Sequence, residues 1–94
     1  MTILVSPQAR EDLKQGYQHI AKDSVEAADR VLARIVEVIG MLASGLVEGK
    51  EVVLHDGRRV QTWPVPPYRI YYRKSTDKFE VIRVYHQARR PIER

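Results

Sequence analysis

The residues best equipped for chemistry in this chain are the arginines, tyrosines and one histidine crowded into its last third. Arg69, Arg73, Arg83, His86, Arg89 and Arg90 all fall between positions 69 and 90. A guanidinium presents a planar fork of donors that matches the oxygens of a phosphate or carboxylate. The set could therefore form a cationic, oxyanion-binding surface. Charge on the exposed faces of strands also serves solubility. That explanation suits Arg73 and Lys74, beside a turn, better than Arg69 and Arg83, which lie mid-strand among apolar residues. An imidazole titrates near neutrality, so His86 could act as a general acid or base, or could close a strand with a single hydrogen bond. Trp63, Tyr68, Tyr71, Tyr72 and Tyr85 offer flat faces for stacking on bases, although tyrosine is also a good strand former. His55 adjoins a turn and reads as a solvated residue.

Other chemistries are excluded by type or spacing. His19, His55 and His86 belong to different elements, and the chain has no cysteine. No metal-ligand cluster, glycine-rich phosphate loop or serine elbow is present, so neither a metal nor a cofactor is expected. Lack of cysteine removes disulfides and thiolate zinc sites and fits a reducing, cytoplasmic setting. No apolar run approaches the ~20 residues of a membrane span. Met1 to Pro7 lacks the basic start of a secretory leader, so no membrane association is expected.

Charge is unevenly spread. Residues 1–57 hold 6 Lys/Arg against 9 Asp/Glu, a net of −3, and residues 58–94 hold 10 against 3, a net of +7. Such a basic half steers acidic partners to one side of the molecule. Nucleic acid and an acidic protein segment satisfy that charge equally.

The elements that must position these groups can be read from the pattern. Thr2–Val5 is a short β-branched strand. Ser6-Pro7 caps and opens a helix in which Ala9, Leu13, Gly16, Tyr17, Ile20 and Ala21 share one face. Asp23, with Glu26 three residues on, resembles a capping box for a second helix. Its stripe is Ala28, Val31, Leu32, Ile35, Val38, Ile39 and Leu42, and Gly45 ends it. Val52–Leu54 is a brief strand-like run before an Asp56-Gly57 turn. Arg59–Trp63 is a strand ended by Pro64, and Pro66-Pro67 is a stiff link. Tyr68–Lys74 and Phe79–His86 form a hairpin. The last strand is apolar on both faces, as befits a central strand. Gln87–Arg94 is a basic tail. The order β-α-α-β-β-β predicts an α+β fold, a helical hairpin packed on one face of an antiparallel sheet, with residues 1–94 as a single domain.

Several words of this sequence, in this order, are familiar. Ala27-Ala28-Asp29-Arg30, the helix end Leu42-Ala43, Gly49, Pro67 to Arg73, and Val81 to Arg89 together resemble the ParE/RelE superfamily of bacterial toxins, over nearly the whole chain. The resemblance implies the toxin of a type II toxin–antitoxin module, held inactive by a cognate antitoxin in a hetero-oligomer. RelE-like members cleave messenger RNA on the ribosome. For that activity Arg69, His86 and Arg89 fall near the family's strand arginine, acid and phosphate-binding positions. RelE itself also uses a lysine pair in the loop after the second helix and a tyrosine in the tail. This chain has only Lys50 in that loop and no tyrosine in Arg89–Arg94. The ending Ile82-Arg83-Val84-Tyr85-His86, then Gln87-Ala88-Arg89, is ParE-like. ParE-like members poison DNA gyrase by binding it, which makes Arg69, Arg83, His86, Arg89 and Arg90 target-binding rather than catalytic residues. The expectation is therefore a gyrase inhibitor. The alternatives are a ribosome-dependent endoribonuclease and a non-toxic, antitoxin-binding relative.

Overall fold

A computed structural model describes residues 1–94. Strand β1 spans Thr2–Val5. Helix α1, Pro7–Ala21, begins as its local chemistry dictates, with the Ser6 hydroxyl accepting from the Ala9 N–H at 3.0 Å and Pro7 in the first turn. The same hydroxyl donates to the Ile82 carbonyl at 2.8 Å, which ties the start of α1 to the last strand. Helix α2 spans Val25–Ser44. Its cap is Ser24 rather than Asp23. The Asp23 N–H is held by the Ile20 carbonyl in the turn, and the extended backbone of Ser24 brings its hydroxyl 3.1 Å from the Ala27 N–H. Gly45 ends α2 at φ 82°, a conformation that glycine adopts without a Cβ penalty.

Strands β2 (Lys50–Val53), β3 (Arg59–Val65), β4 (Tyr68–Lys74) and β5 (Lys78–His86) follow. They form an antiparallel meander, and β1 pairs in parallel with the outer side of β5, so the sheet order is β1-β5-β4-β3-β2. The sheet is mixed, not wholly antiparallel, because β1 runs parallel to β5, and it is five-stranded because Lys50–Val53 is long enough to ladder with β3 and adds a strand to the expected order. Pro64 does not end β3. Strand β2 stops opposite Thr62, so Pro64 lies where β3 has no neighbour on that side and no ladder bond is lost.

Both helices cover one face of the sheet. Ile35, Val38, Ile39 and Leu42 of α2 and Ala9 of α1 pack on Ile70, Tyr72, Phe79, Val81 and Val84. The Tyr72 and Phe79 rings stack at 4.8 Å. A bulge in β5 makes the other face apolar too. Tyr71 pairs with Arg83 and Tyr72 with Val81, so Ile82 is the extra residue and is buried on the far side. There it joins Leu54, Val60 and Tyr71 in a second, smaller core.

The C-terminal tail closes that second face. Glu93 bridges to Leu54, the His55 N–H bonds the Ile92 carbonyl at 2.7 Å, and the Arg94 N–H bonds the Val53 carbonyl at 2.8 Å. Ile92 packs against the small core. The tail is a strap that carries its charge across the sheet.

Candidate functional site

The arginine-rich residues gather where β4 begins, β5 ends and the tail departs. The register decides which of them meet. Tyr68 pairs with His86 and Arg69 with Tyr85. Side chains alternate along a strand, so Tyr68 and His86 share the helical face while Arg69 and Tyr85 share the opposite face. The Tyr68 and His86 rings meet edge-to-face at 5.1 Å. Arg69 sends an N–H to the Thr62 hydroxyl at 3.3 Å.

Arg83 is already engaged. Its Nε and Nη2 donate to the two oxygens of Asp12, at 2.7 and 2.8 Å, and the Asp12 carboxylate also accepts the Val84 N–H at 3.0 Å. The ladder between β1 and β5 ends at Val81, so the edge of β5 beyond it has no strand partner. Asp12, projecting from α1, supplies the missing acceptor, and Arg83 balances the charge. Asp12 is 8% exposed and Arg83 19%. The hydrogen bond from Arg83 to Asp12 raises the guanidinium pKa further above its ordinary range. Arg83 also lies over the Tyr85 ring, 5.1 Å from its centroid.

Two hollows flank the end of the sheet. One, of about 400 Å³, lies between α1 and β5 and is lined by Asp12, Gln15, His19, Tyr68, His86 and Arg89. The other, of about 210 Å³, lies on the opposite face under the tail and is lined by Arg69, Tyr71, Tyr85, Gln87, Arg89 and Glu93. Arg89 borders both. Arg90 lines neither; its carbonyl accepts from the Tyr85 hydroxyl at 2.6 Å while its side chain faces solvent. Burial raises the Tyr71 hydroxyl well above its ordinary range, assisted by its 2.6 Å hydrogen bond to Glu93. Burial also raises Tyr68, opposed by the nearby charge of Arg89.

The family model described as the ParE toxin of the type II toxin–antitoxin system parDE matches residues 3–91. The chain belongs to the ParE toxin family. A solved structure of the chromosomal ParDE toxin–antitoxin system from P. aeruginosa is similar in fold, with a TM-score of 0.72 at 20% identity over 92% of this chain and 95% of that one. No curated protein sequence matches.

Within this ParE-family chain, several expected roles are redistributed. Tyr68, Tyr71 and Tyr72 are at most 5% exposed and present no face for stacking on a base. Arg73 pairs with Glu80 across the hairpin at 3.3 Å, and Lys74 donates to the Leu42 carbonyl at 3.3 Å, near the C-terminal end of α2. Asp12, Gly16, His19 and Glu93 line or support the hollows, yet no motif marks them. A Cβ on Gly16 would sit 2.6 Å from the Tyr68 hydroxyl, so that glycine makes room for the tyrosine.

Proposed function

We propose that this ParE-family toxin arrests growth by binding DNA gyrase, without cutting RNA, and that a cognate antitoxin neutralises it in a hetero-oligomer. The observation that carries the non-hydrolytic part is the separation of Arg69, the strand arginine of the ribonuclease resemblance, from His86. Ribonucleolytic transesterification needs a base, an acid and a cation around one phosphate, within hydrogen-bond reach of the reacting atoms. Arg69 and His86 lie on opposite faces of the sheet, and only Arg89 borders both sides. The groups beside Arg69 do not replace the histidine, because Tyr71 holds its proton through the neutral range and is bonded to Glu93. The lone Lys50 and the tail without tyrosine agree with this reading. Arg69, His86, Arg89 and Arg90 then offer a positive rim to the target, and Arg83 supports that rim from within.

The antitoxin has two surfaces suited to it. Val25, Leu32 and Val36 form one stripe along α2 and are 53%, 36% and 60% exposed. Strand β1 leaves its outer edge open, with Ile3 and Leu4 half in solvent. An acidic, amphipathic segment that orders on binding satisfies both the apolar stripe and the basic half.

Gyrase supercoiling of relaxed plasmid, with the purified chain added, tests the target. Loss of supercoils together with linear DNA is expected. Untouched gyrase, with growth still arrested on expression, would sink the gyrase reading and turn attention to transcripts on ribosomes.

A further inference from the structure

The hollow between α1 and β5 is not needed for either the core or the antitoxin surfaces, and its chemistry is one-sided. Its only carboxylate, Asp12, has both oxygens occupied by Arg83 and the Val84 N–H. The remaining polar groups facing the space are donors or amphoteric. His86 accepts the Ala88 N–H on Nδ1 at 3.1 Å, which places the proton of the neutral ring on Nε2. The Arg89 guanidinium makes no ion pair, whereas Arg58, Arg59, Arg73 and Arg83 all do. Tyr68 lines the hollow, and its hydroxyl packs where Gly16 lacks a Cβ. His19, in the last turn of α1, faces the same space from the other wall.

We propose that this hollow is a binding site for a phosphate group. Arg89 supplies the fork, His86 Nε2 and the Tyr68 hydroxyl supply directed donors, and His19 closes the rim. Three elements and the tail contribute one of these lining residues each, so these groups surround the space and do not form a surface stripe. A phosphate has enough oxygens to meet all four at once, and charge-assisted bonds of this kind are the strong ones. The phosphate arrives either free or at the end of a nucleotide, since the hollow, at about 400 Å³, has room beyond a single ion. The site shares His86 and Arg89 with the proposed target-binding rim, but its test uses no gyrase, so failure of the gyrase reading leaves it standing.

The test is titration of the full chain with inorganic phosphate and, in parallel, with a nucleoside 5′-monophosphate. Imidazole resonances report the site. His55, in the turn beyond β2 at the far edge of the sheet, is the internal control. Saturable shifts of His19 and His86, with His55 still, are expected for both probes. Equal affinities would identify free phosphate as the occupant, and a tighter monophosphate would identify a nucleotide. Arg89→Ala should weaken binding roughly tenfold, by loss of a charge-assisted bond. Tyr68→Phe and His19→Gln should each weaken it severalfold while leaving the Arg69 cavity intact. Shifts that grow linearly with concentration, that include His55, or that survive Tyr68→Phe and Arg89→Ala unchanged would overturn the site.

Discussion

Arg83 shows how far a residue's type alone can carry an inference. An arginine amid apolar neighbours invites a functional reading, and the resemblance to ParE toxins adds to it. Its partner, Asp12, is 71 positions away in sequence, and the need for that pair arises only because β1 ends opposite Val81. Nothing local to either residue records this, so the pair was not legible before the fold. It has a measurable consequence. Asp12→Ala leaves a half-buried guanidinium and the Val84 N–H without an acceptor and should cost about 2–4 kcal/mol in urea denaturation. Asp12→Asn keeps an acceptor for the Val84 N–H and should cost less. If Asp12→Ala and Asp12→Asn are both within error of the parent, Asp12 does not hold the edge of β5. Gly49 makes a similar point. A Cβ there would lie 2.3 Å from the Thr62 carbonyl, and its N–H bonds the Tyr72 hydroxyl at 2.8 Å. The resemblance flagged the position, and the contact supplies the reason.

At the scale of elements, hydrophobic pattern and capping residues located the helices and strands well, because those signals act over a few residues. The apolar stripe of α2 is core as expected except at Leu32, which is 36% exposed, and β5 is a central strand. The tail was the element least open to reading. Residues 87–94 have the composition of a solvated basic arm, yet Ile92 and Glu93 fasten them over Leu54, Val60, Tyr71 and Ile82. Such a strap depends on a second apolar face, which the bulge at Ile82 creates. Removal of residues 91–94 should therefore lower the unfolding midpoint and expose apolar surface, detected by increased binding of a hydrophobic dye. Strand β4 carries a further consequence. Burial raises the hydroxyls of Tyr68, Tyr71 and Tyr72 above the ordinary 10.0. Below that value both folded and unfolded chains keep these protons, so no stability depends on pH. Above it the unfolded chain releases them first, and the folded state loses ground as pH rises. Urea midpoints should be flat between about pH 8 and 9 and fall steeply beyond about pH 10. Tyr71→Phe should make that fall shallower, and an unchanged slope would show that Tyr71 titrates freely in the folded state.

For the whole molecule, the charge division read from the sequence takes a spatial form. The cations of residues 58–94 are partly engaged within the chain, since Arg58, Arg59 and Arg73 pair with carboxylates on the surface and Arg83 pairs with Asp12 in a largely buried contact. Arg89 and Arg90 make no such pair and stand at the end of the sheet where β5 gives way to the tail. Partner binding should therefore divide into two physically different parts. The α2 stripe acts through apolar area and is insensitive to salt at modest concentrations. The basic end acts through exposed charge, screened within ~10 Å at about 0.1 M salt. If the antitoxin uses both surfaces, its affinity should fall steadily between about 0.05 and 0.5 M salt and then level off at the apolar contribution. The two sets of variants separate the parts. Val36→Ser should weaken binding by a similar factor at every salt concentration, because it removes apolar contact, without adding charge, at a position 60% exposed and outside the core. Arg89→Ala with Arg90→Ala should weaken binding at low salt, have little effect at high salt, and flatten the slope. A salt-independent affinity in the parent chain would confine the antitoxin to the helices and strand edge, leaving the basic end wholly to the target. A steep slope that survives loss of Arg89 and Arg90 would move the electrostatic contact to the other cations of the sheet.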